Sequence, residues 1–415
     1  MKKLKRTALV IAIILVWTLF VGLGFTNGYL LFSLDSSHST QGFIAAVKAQ
    51  AEKQYIGNLG MALIEGGEVA ETFFLGQDGE VINAQSSFPV ASISKWVTAV
   101  GVLKLVEQGT LELDRPVEDY LTRWHLPESK FNNKGVTVRR LLSHSAGLDD
   151  DLGYGGFVAG EQIQTLEESL TSAADGYYDG AKARVGYEPG SQFMYSGASY
   201  TLLQLLIEEV TGLDFNDYMA SEIFEPLGMT HSSFVLDEVK DKSLVTVYKT
   251  NGEARPMKRF TAQAAASLMT SIGDLSKFMT ALTSTEELLS TEVVRMMHKP
   301  ASFRNDFPWY GLGPRLYSTN VGEVRIAGHN GSGNNAINTA ARYDIRNHDG
   351  IIILETGHPN FASDIADEWL FWQAGIADRV VMERNMPYLG ALLVGGYLFI
   401  IISAILFFRR TKAKT

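Results

Sequence analysis

Two runs of residues without a charge limit what this chain can become more than any other feature it has. Residues 8–25 and 389–408 each extend for roughly 18–20 positions, the length a helix needs to cross the hydrocarbon of a bilayer. Lys2, Lys3, Lys5 and Arg6 precede the first, and Arg409, Arg410, Lys412 and Lys414 follow the second. Basic flanks of this kind stay in the cytoplasm, so both termini are expected inside the cell and the body of the chain outside it. A cleaved signal peptide is the rival reading of the first run. Its apolar stretch is longer than the usual signal core, and no small-x-small cleavage site follows cleanly. A buried core helix is the rival for the second, but burial does not explain a basic cluster at the chain terminus. The expected organisation is a cytoplasmic N-terminus over 1–7, an anchor and short linker over 8–34, a folded domain over 42–377, a second span over 388–408 and a basic cytoplasmic tail over 409–415.

Between the anchors there is material for a sizeable core, since 46% of the 415 residues are hydrophobic. The formal charge of -10, with no long basic run inside the body, gives no footprint for a phosphate backbone, so nucleic acid is not an expected partner. The absence of cysteine excludes disulfides, thiolate catalysis and cysteine-ligated metals. The eight histidines show no His-Glu-x-x-His or comparable spacing, so neither a metal nor a cofactor is expected.

Periodicity places a helix from about Phe43 to Tyr55, then a hairpin of two apolar, β-leaning runs over 61–65 and 69–75. Gly66 and Gly67 supply the positive φ its turn requires. From Ser92 to Gln108 the apolar residues Ile93, Trp96, Val97, Val100, Leu103 and Val106 recur at helical spacing and stop at Gly109, which predicts a buried helix. The middle, from about Leu111 to Leu282, reads as mostly helical and loop-rich, with an amphipathic helix over 200–211 closed by Gly212. Strand-like runs return at 322–327, 336–343 and 351–356, followed by a closing helix over 361–372. The expected fold is therefore α+β: one antiparallel sheet with strands from both ends of the domain, flanked by helices, and an inserted mostly helical subdomain.

Chemistry enters at Val90-Ala-Ser92-Ile-Ser-Lys95-Trp, an S-x-x-K at the start of the buried helix. Ser92 and Lys95 then lie on one helix face, where the amine can approach the hydroxyl and the helix N-terminus favours developing negative charge. A serine hydroxyl is a weak nucleophile until a neighbouring base takes its proton. Alone, the motif is far more often an ordinary exposed helix start. Its weight comes from the segments that follow in order: Leu141-Leu-Ser-His-Ser-Ala-Gly-Leu148, Glu188-Pro-Gly-Ser-Gln-Phe-Met-Tyr195-Ser-Gly197, Tyr310-Gly-Leu-Gly313 and Gly328-His329-Asn-Gly331-Ser-Gly333.

With these motifs the chain resembles the serine hydrolases of the penicillin-binding protein and class C β-lactamase-like family, over roughly residues 42–377. That family includes D,D-carboxypeptidases, D-aminopeptidases and esterases. The resemblance implies that Ser92 attacks a carbonyl while Lys95 and Tyr195 share its proton and later activate the deacylating water. It implies that His329 stands beside the pocket in the third motif, and that the backbone N–H groups of Ser92 and Ser332 form an oxyanion hole. Asn330, Gly331 and Gly197 are the implied substrate-binding positions, Gly331 because it would let a ligand approach the backbone closely. His144 is expected to order a loop rather than to react.

This chain departs from its relatives at two places. Tyr195-Ser-Gly197 stands where many have Tyr-x-Asn, so an amide that commonly contacts the acyl side chain is missing. His329-Asn-Gly331 replaces Lys-Thr-Gly, and a neutral imidazole is a poorer anchor for a β-lactam or a terminal carboxylate. Both weaken efficient β-lactam hydrolysis more than acyl transfer. The expected activity is hydrolysis of a small peptide, an ester or a cell-wall peptide outside the membrane through an acyl-enzyme on Ser92. The alternatives are a membrane-tethered peptidase that trims an exported precursor, and a catalytically silent sensor that kept the fold.

Overall fold

The computed structural model describes all residues except 1, 149–153, 179, 240–242, 285–287, 320 and 413–415, so the end of the expected basic tail lies outside the described residues. Its strands are β1 (Leu59–Glu65), β2 (Glu68–Leu75), β3 (Ser87–Pro89), β4 (Val247–Tyr248), β5 (Ala254–Arg255), β6 (Met269–Ser271), β7 (Ser302–Arg304), β8 (Phe307–Tyr310), β9 (Arg315–Ser318), β10 (Val324–Gly333), β11 (Ile337–Asp344) and β12 (Gly350–Thr356). The longer helices are α1 (Lys2–Thr26), α2 (Thr40–Gln54), α3 (Ile93–Glu107), α4 (Gly197–Thr211), α5 (Ile272–Ser284), α6 (Phe361–Ala374) and α7 (Arg379–Lys412). The chain divides into a large unit, Ser39–Ala366, and a small one made of Met1–His38 with Asp367–Thr415.

In the large unit an antiparallel sheet runs in the order β2-β1-β12-β11-β10-β9-β8-β7. The two ends of the domain meet where β1 pairs β12, from Leu59 opposite Glu355 to Ile64 opposite Gly350. The anticipated hairpin forms, with Gly66 at φ 55° and Gly67 at φ 89° in its turn. A second tight turn joins β10 to β11: Asn334 and Asn335 both take positive φ, and Ala336 N–H closes the loop onto Gly333 O at 3.1 Å.

Helix α3 is buried almost throughout because its apolar residues cover most of its circumference. Trp96 stacks on Tyr343 of β11, with centroids 5.7 Å apart, and meets Phe278 of α5 edge-on. The helix anticipated over 200–211 starts earlier, at Gly197. It is buried through Ile207 rather than amphipathic, because it is packed inside the helical layer.

Two strand expectations need correction. The run expected to end at Ala327 continues to Gly333, because β11 pairs it along its full length, from Ile326 opposite Asp344 to Gly333 opposite Ile337. Like the short strands β3 to β6, strands β7 to β9 occupy a region where no strand was expected. Pro308, Gly311, Gly313 and Pro314 interrupt any apolar alternation there, and neighbouring strands supply what local pattern does not.

In the small unit, α1 and α7 each contain a window long and apolar enough to cross a membrane. Only 11% of one window and 0% of the other is buried, unlike the core helix of a soluble protein. Thr18 Oγ1 and Tyr397 Oη lie 2.8 Å apart, and a Cβ at Gly396 would meet the Trp17 ring at 2.1 Å, so a small residue is required there. Asn385 bonds Phe32 in both directions: Phe32 N–H donates to Oδ1 at 3.0 Å and Nδ2 donates to Phe32 O at 3.1 Å. Arg384 grips Glu368 with two nitrogens, at 2.5 and 2.8 Å.

Candidate active site

The turn entering α3 is under backbone constraint. Ala91 has φ 46°, unusual for a residue with a side chain, and Ser92 follows in helical conformation as the residue before α3. The turn is braced from outside: Val90 N–H donates to Leu268 O at 3.0 Å, and Leu268 N–H donates to Ser94 Oγ at 3.0 Å. Ser92 is left partly exposed, while Lys95, one turn on, is only 4% exposed. Lys95 Nζ lies 3.4 Å from Ser92 Oγ and donates to Ala265 O at 2.7 Å, so the amine is held by a carbonyl on one side and faces the hydroxyl on the other. It also sits 5.1 Å from the ring centroid of Tyr195 and 5.8 Å from that of Tyr200.

Tyr195 reaches this place because the two loop motifs dock on each other. His144, at φ 55°, accepts from Ser196 N–H on Nδ1 at 3.1 Å, and its own carbonyl accepts from Met194 N–H at 2.8 Å. Its ring packs 4.4 Å from that of Tyr195. Gly147 O takes the N–H groups of both Gly186 and Tyr187, and a Cβ on Gly147 would meet Tyr187 O at 2.3 Å. Burial, reinforced by the Lys95 charge, pushes the His144 pKa well below the usual histidine range, so the ring is neutral. His144 does not line the cleft.

The opposite wall is β10. Only its first half, through Gly328, pairs with β9, so from His329 to Gly333 the β9-side edge is free. His329 is 4% exposed. Its Nδ1 is 2.6 Å from Asn330 O, which can only accept, so Nδ1 carries the hydrogen and Nε2 accepts from Tyr310 Oη at 2.9 Å. Both ring nitrogens are thus engaged within the protein. Burial first, and the Lys95 charge second, lower its pKa to about 3.

Gly331 is also demanded by packing within the protein. A Cβ there would meet Val90 O at 2.1 Å and Thr339 Oγ1 at 2.3 Å, so its missing side chain admits the turn before Ser92. Val90 O also accepts from Ile93 N–H at 3.2 Å and Thr339 Oγ1 at 3.0 Å. One carbonyl thereby ties the nucleophile turn to β10 and β11.

Ser92, Lys95, Tyr195, His329, Asn330, Gly331 and Ser332 all line one cleft of about 520 Å³; Gly197, buried at the start of α4, does not. The cleft also contains residues to which the sequence assigned no role in the site, among them Tyr154, Arg255, Lys258, Tyr310, Arg315 and Asn338. Tyr310 carried a signal in its Tyr-Gly-Leu-Gly segment, whose Gly313 packs where a Cβ would meet that of Ala99 at 2.3 Å. The two arginines lie in segments with no motif. Among the described residues no group of three His, Asp or Glu side chains could hold a metal.

The Beta-lactamase family model matches residues 43–375. Protein flp of Staphylococcus aureus (strain COL) is 29% identical over 206 residues, 47% of this chain and 38% of the relative. Penicillin-binding protein 4* of Bacillus subtilis (strain 168) is 33% identical over 158 residues, 36% of this chain and 31% of the relative. The chain therefore spans well under half the length of these curated relatives. The octameric penicillin-binding protein homologue from Pyrococcus abyssi superposes with a TM-score of 0.66 at 27% identity, covering 82% of this chain and 78% of that one.

Proposed function

Because the chain belongs to the beta-lactamase family of acyl-serine hydrolases, we propose that it is a membrane-anchored hydrolase that forms an acyl-enzyme on Ser92 outside the cell, from a small peptide or ester substrate. The observation that carries this reading is the buried Lys95 amine 3.4 Å from a partly exposed Ser92 hydroxyl, at the floor of a cleft shared with Tyr195.

Ser92 Oγ attacks the substrate carbonyl carbon, and its proton passes to whichever of Lys95 and Tyr195 has first given up its own, the amine in its neutral form or the phenol as phenolate. The oxygen that gains negative charge is held by the N–H groups of Ser92 and Ser332. The tetrahedral species collapses, the scissile bond breaks, and the leaving amine or alcohol takes the proton. Water then attacks the ester on Ser92, giving up a proton to the same pair, and the acid is released. His329, with both nitrogens engaged, shapes the wall through Tyr310 and exchanges no proton with substrate. A wall without a free cation at that position favours peptide and ester chemistry over β-lactam hydrolysis.

Two apolar helices with basic flanks support tethering at both ends, with the large unit outside. The test of the chemistry is covalent labelling by a fluorophosphonate probe. Wild type is expected to label at Ser92 and Ser92→Ala is not; undiminished labelling of the variant overturns the assignment. A chromogenic ester separates a hydrolase, which turns over, from a silent sensor, which gives one stoichiometric burst.

A further inference from the structure

Arg255 and Lys258 stand in the wall of the cleft in a chain whose net charge is -10. Arg255 ends β5, the second strand of the two-stranded β4–β5 hairpin, and lines both the main cleft and a neighbouring groove of about 480 Å³ that also contains Lys249, Lys258, Asn334 and Asn335. Three other cations of these two spaces have an oxygen partner. Lys95 is held by Ala265 O, Lys258 Nζ donates to Gly155 O at 2.6 Å, and Lys249 pairs with Glu253 at 2.7 Å. Arg315 has no oxygen partner among the described residues, its Nε being buried without a hydrogen bond, but its guanidinium is covered by aromatic faces, 4.2 Å from the ring centroid of Trp309 and 4.5 Å from that of Tyr317. The Arg255 guanidinium makes no hydrogen bond or ion pair with any described residue, although the residue is half-buried and its backbone pairs with Val247. A guanidinium held partly out of water without a counter-charge has lost hydration that nothing in the protein replaces, which is the state of a group awaiting an anion.

We infer that the cleft takes substrates bearing a carboxylate and that Arg255 receives this group. The inference rests on the acyl-serine reading and adds the substrate's charge to it. His329 is neutral and engaged on both nitrogens, so it leaves this task open. A single planar guanidinium matches a singly charged, planar carboxylate in two parallel bonds, whereas a phosphate dianion calls for more positive charge. The cleft that Arg255 lines also carries the uncharged polar side chains of Asn334, Asn338 and Ser332, which suit the amide groups of a short peptide.

The test compares matched substrates on the full-length protein in detergent. Mono-p-nitrophenyl glutarate and p-nitrophenyl butyrate differ by a carboxylate on the acyl side; hippuryl-phenyllactate and its methyl ester differ by one on the leaving side. In at least one pair, Arg255→Gln is expected to lower the charged-over-neutral ratio of kcat/KM about 10-fold or more, and Arg255→Lys to recover part of it. High ionic strength should compress the same ratio in the unaltered protein. A ratio unchanged within about two-fold in both pairs, with Ser92-dependent hydrolysis intact, overturns the subsite and leaves the acyl-enzyme reading standing. Calorimetric titration with monomethyl glutarate against dimethyl glutarate reads the subsite with no chemical step. Charge preference lost in Arg255→Gln supports it whatever happens at Ser92, and equal binding of the two compounds sinks it.

Discussion

Tyr310 donates its phenolic hydrogen to Nε2 of His329 over 2.9 Å, and this bond fixes the imidazole as the neutral Nδ1–H form. Tyr310→Phe leaves a buried acceptor with no donor, which costs about 1–3 kcal/mol. Thermal unfolding should show that loss, together with slower Ser92 labelling. An unchanged melting temperature would mean that the bond contributes nothing.

Protonation carries a second consequence. The folded pKa is about 3 for His329 and about 4 for His298, with burial the leading cause in both, and that of His144 is also lowered. The unfolded chain binds these protons near pH 6.5 and the folded one does not, so stability is full above 6.5 and falls as pH drops toward 4. Each histidine contributes a slope of about 1.4 kcal/mol per pH unit in that window. His329→Asn should reduce proton uptake on unfolding by about one, read from melting temperature against pH.

Glu355 has the opposite sign. Buried on β12 against the amides of Phe361 and Ala362, outside regular hydrogen-bond geometry, its carboxyl is pushed well above the usual range, chiefly by desolvation. Its stabilising effect is present below about pH 4.5 and is lost as pH rises toward the folded value. Glu355→Gln cannot ionise, so its advantage over wild type should grow with pH by up to about 1.4 kcal/mol per unit. A difference independent of pH would show that the carboxyl is not held protonated.

Gly331→Ala should collide with Val90 O and move Ser332 relative to Ser92. Labelling of Ser92 is expected to slow by about 100-fold or more, the usual effect of losing an oxyanion donor. Ser332→Ala keeps the backbone N–H and should label at close to the wild-type rate. Equal damage in the two variants would assign the role to the Ser332 hydroxyl instead.

His144 holds the Tyr195 loop through its ring and its carbonyl. His144→Ala removes the ring acceptor, whereas Asn can restore an acceptor for Ser196 N–H. If His144 is a positioning residue, the alanine variant should lower kcat more than it raises KM, and His144→Asn should regain part of kcat. A loss of stability with unchanged kcat would leave it a purely structural role.

Much of this arrangement is legible in the chain itself. The Gly66-Gly67 turn, the buried helix after Ser92 and the meeting of strands from both ends follow from local chemistry and periodicity. What stayed hidden depends on long-range packing. His329 to Gly333 carry too little apolar pattern to announce a strand, and form one because β11 pairs them. The need for glycine at 331 is visible in sequence, but its cause is a carbonyl some 240 positions earlier. Gly197 sits beside Tyr195 in the motif yet falls out of the cleft, because the chain enters α4 there. Arg255 has no motif at all, and only the placement of the β4–β5 hairpin brings it to the wall.

The Val90 carbonyl shows which parts of the site can vary separately. Three groups converge on that one oxygen, so the reactive turn cannot shift without disturbing the large sheet. Arg255 rides on two short strands that pair only with each other. Such a division lets descendants of this chain change what they select by editing a peripheral hairpin, while the machinery that breaks the bond is inherited intact.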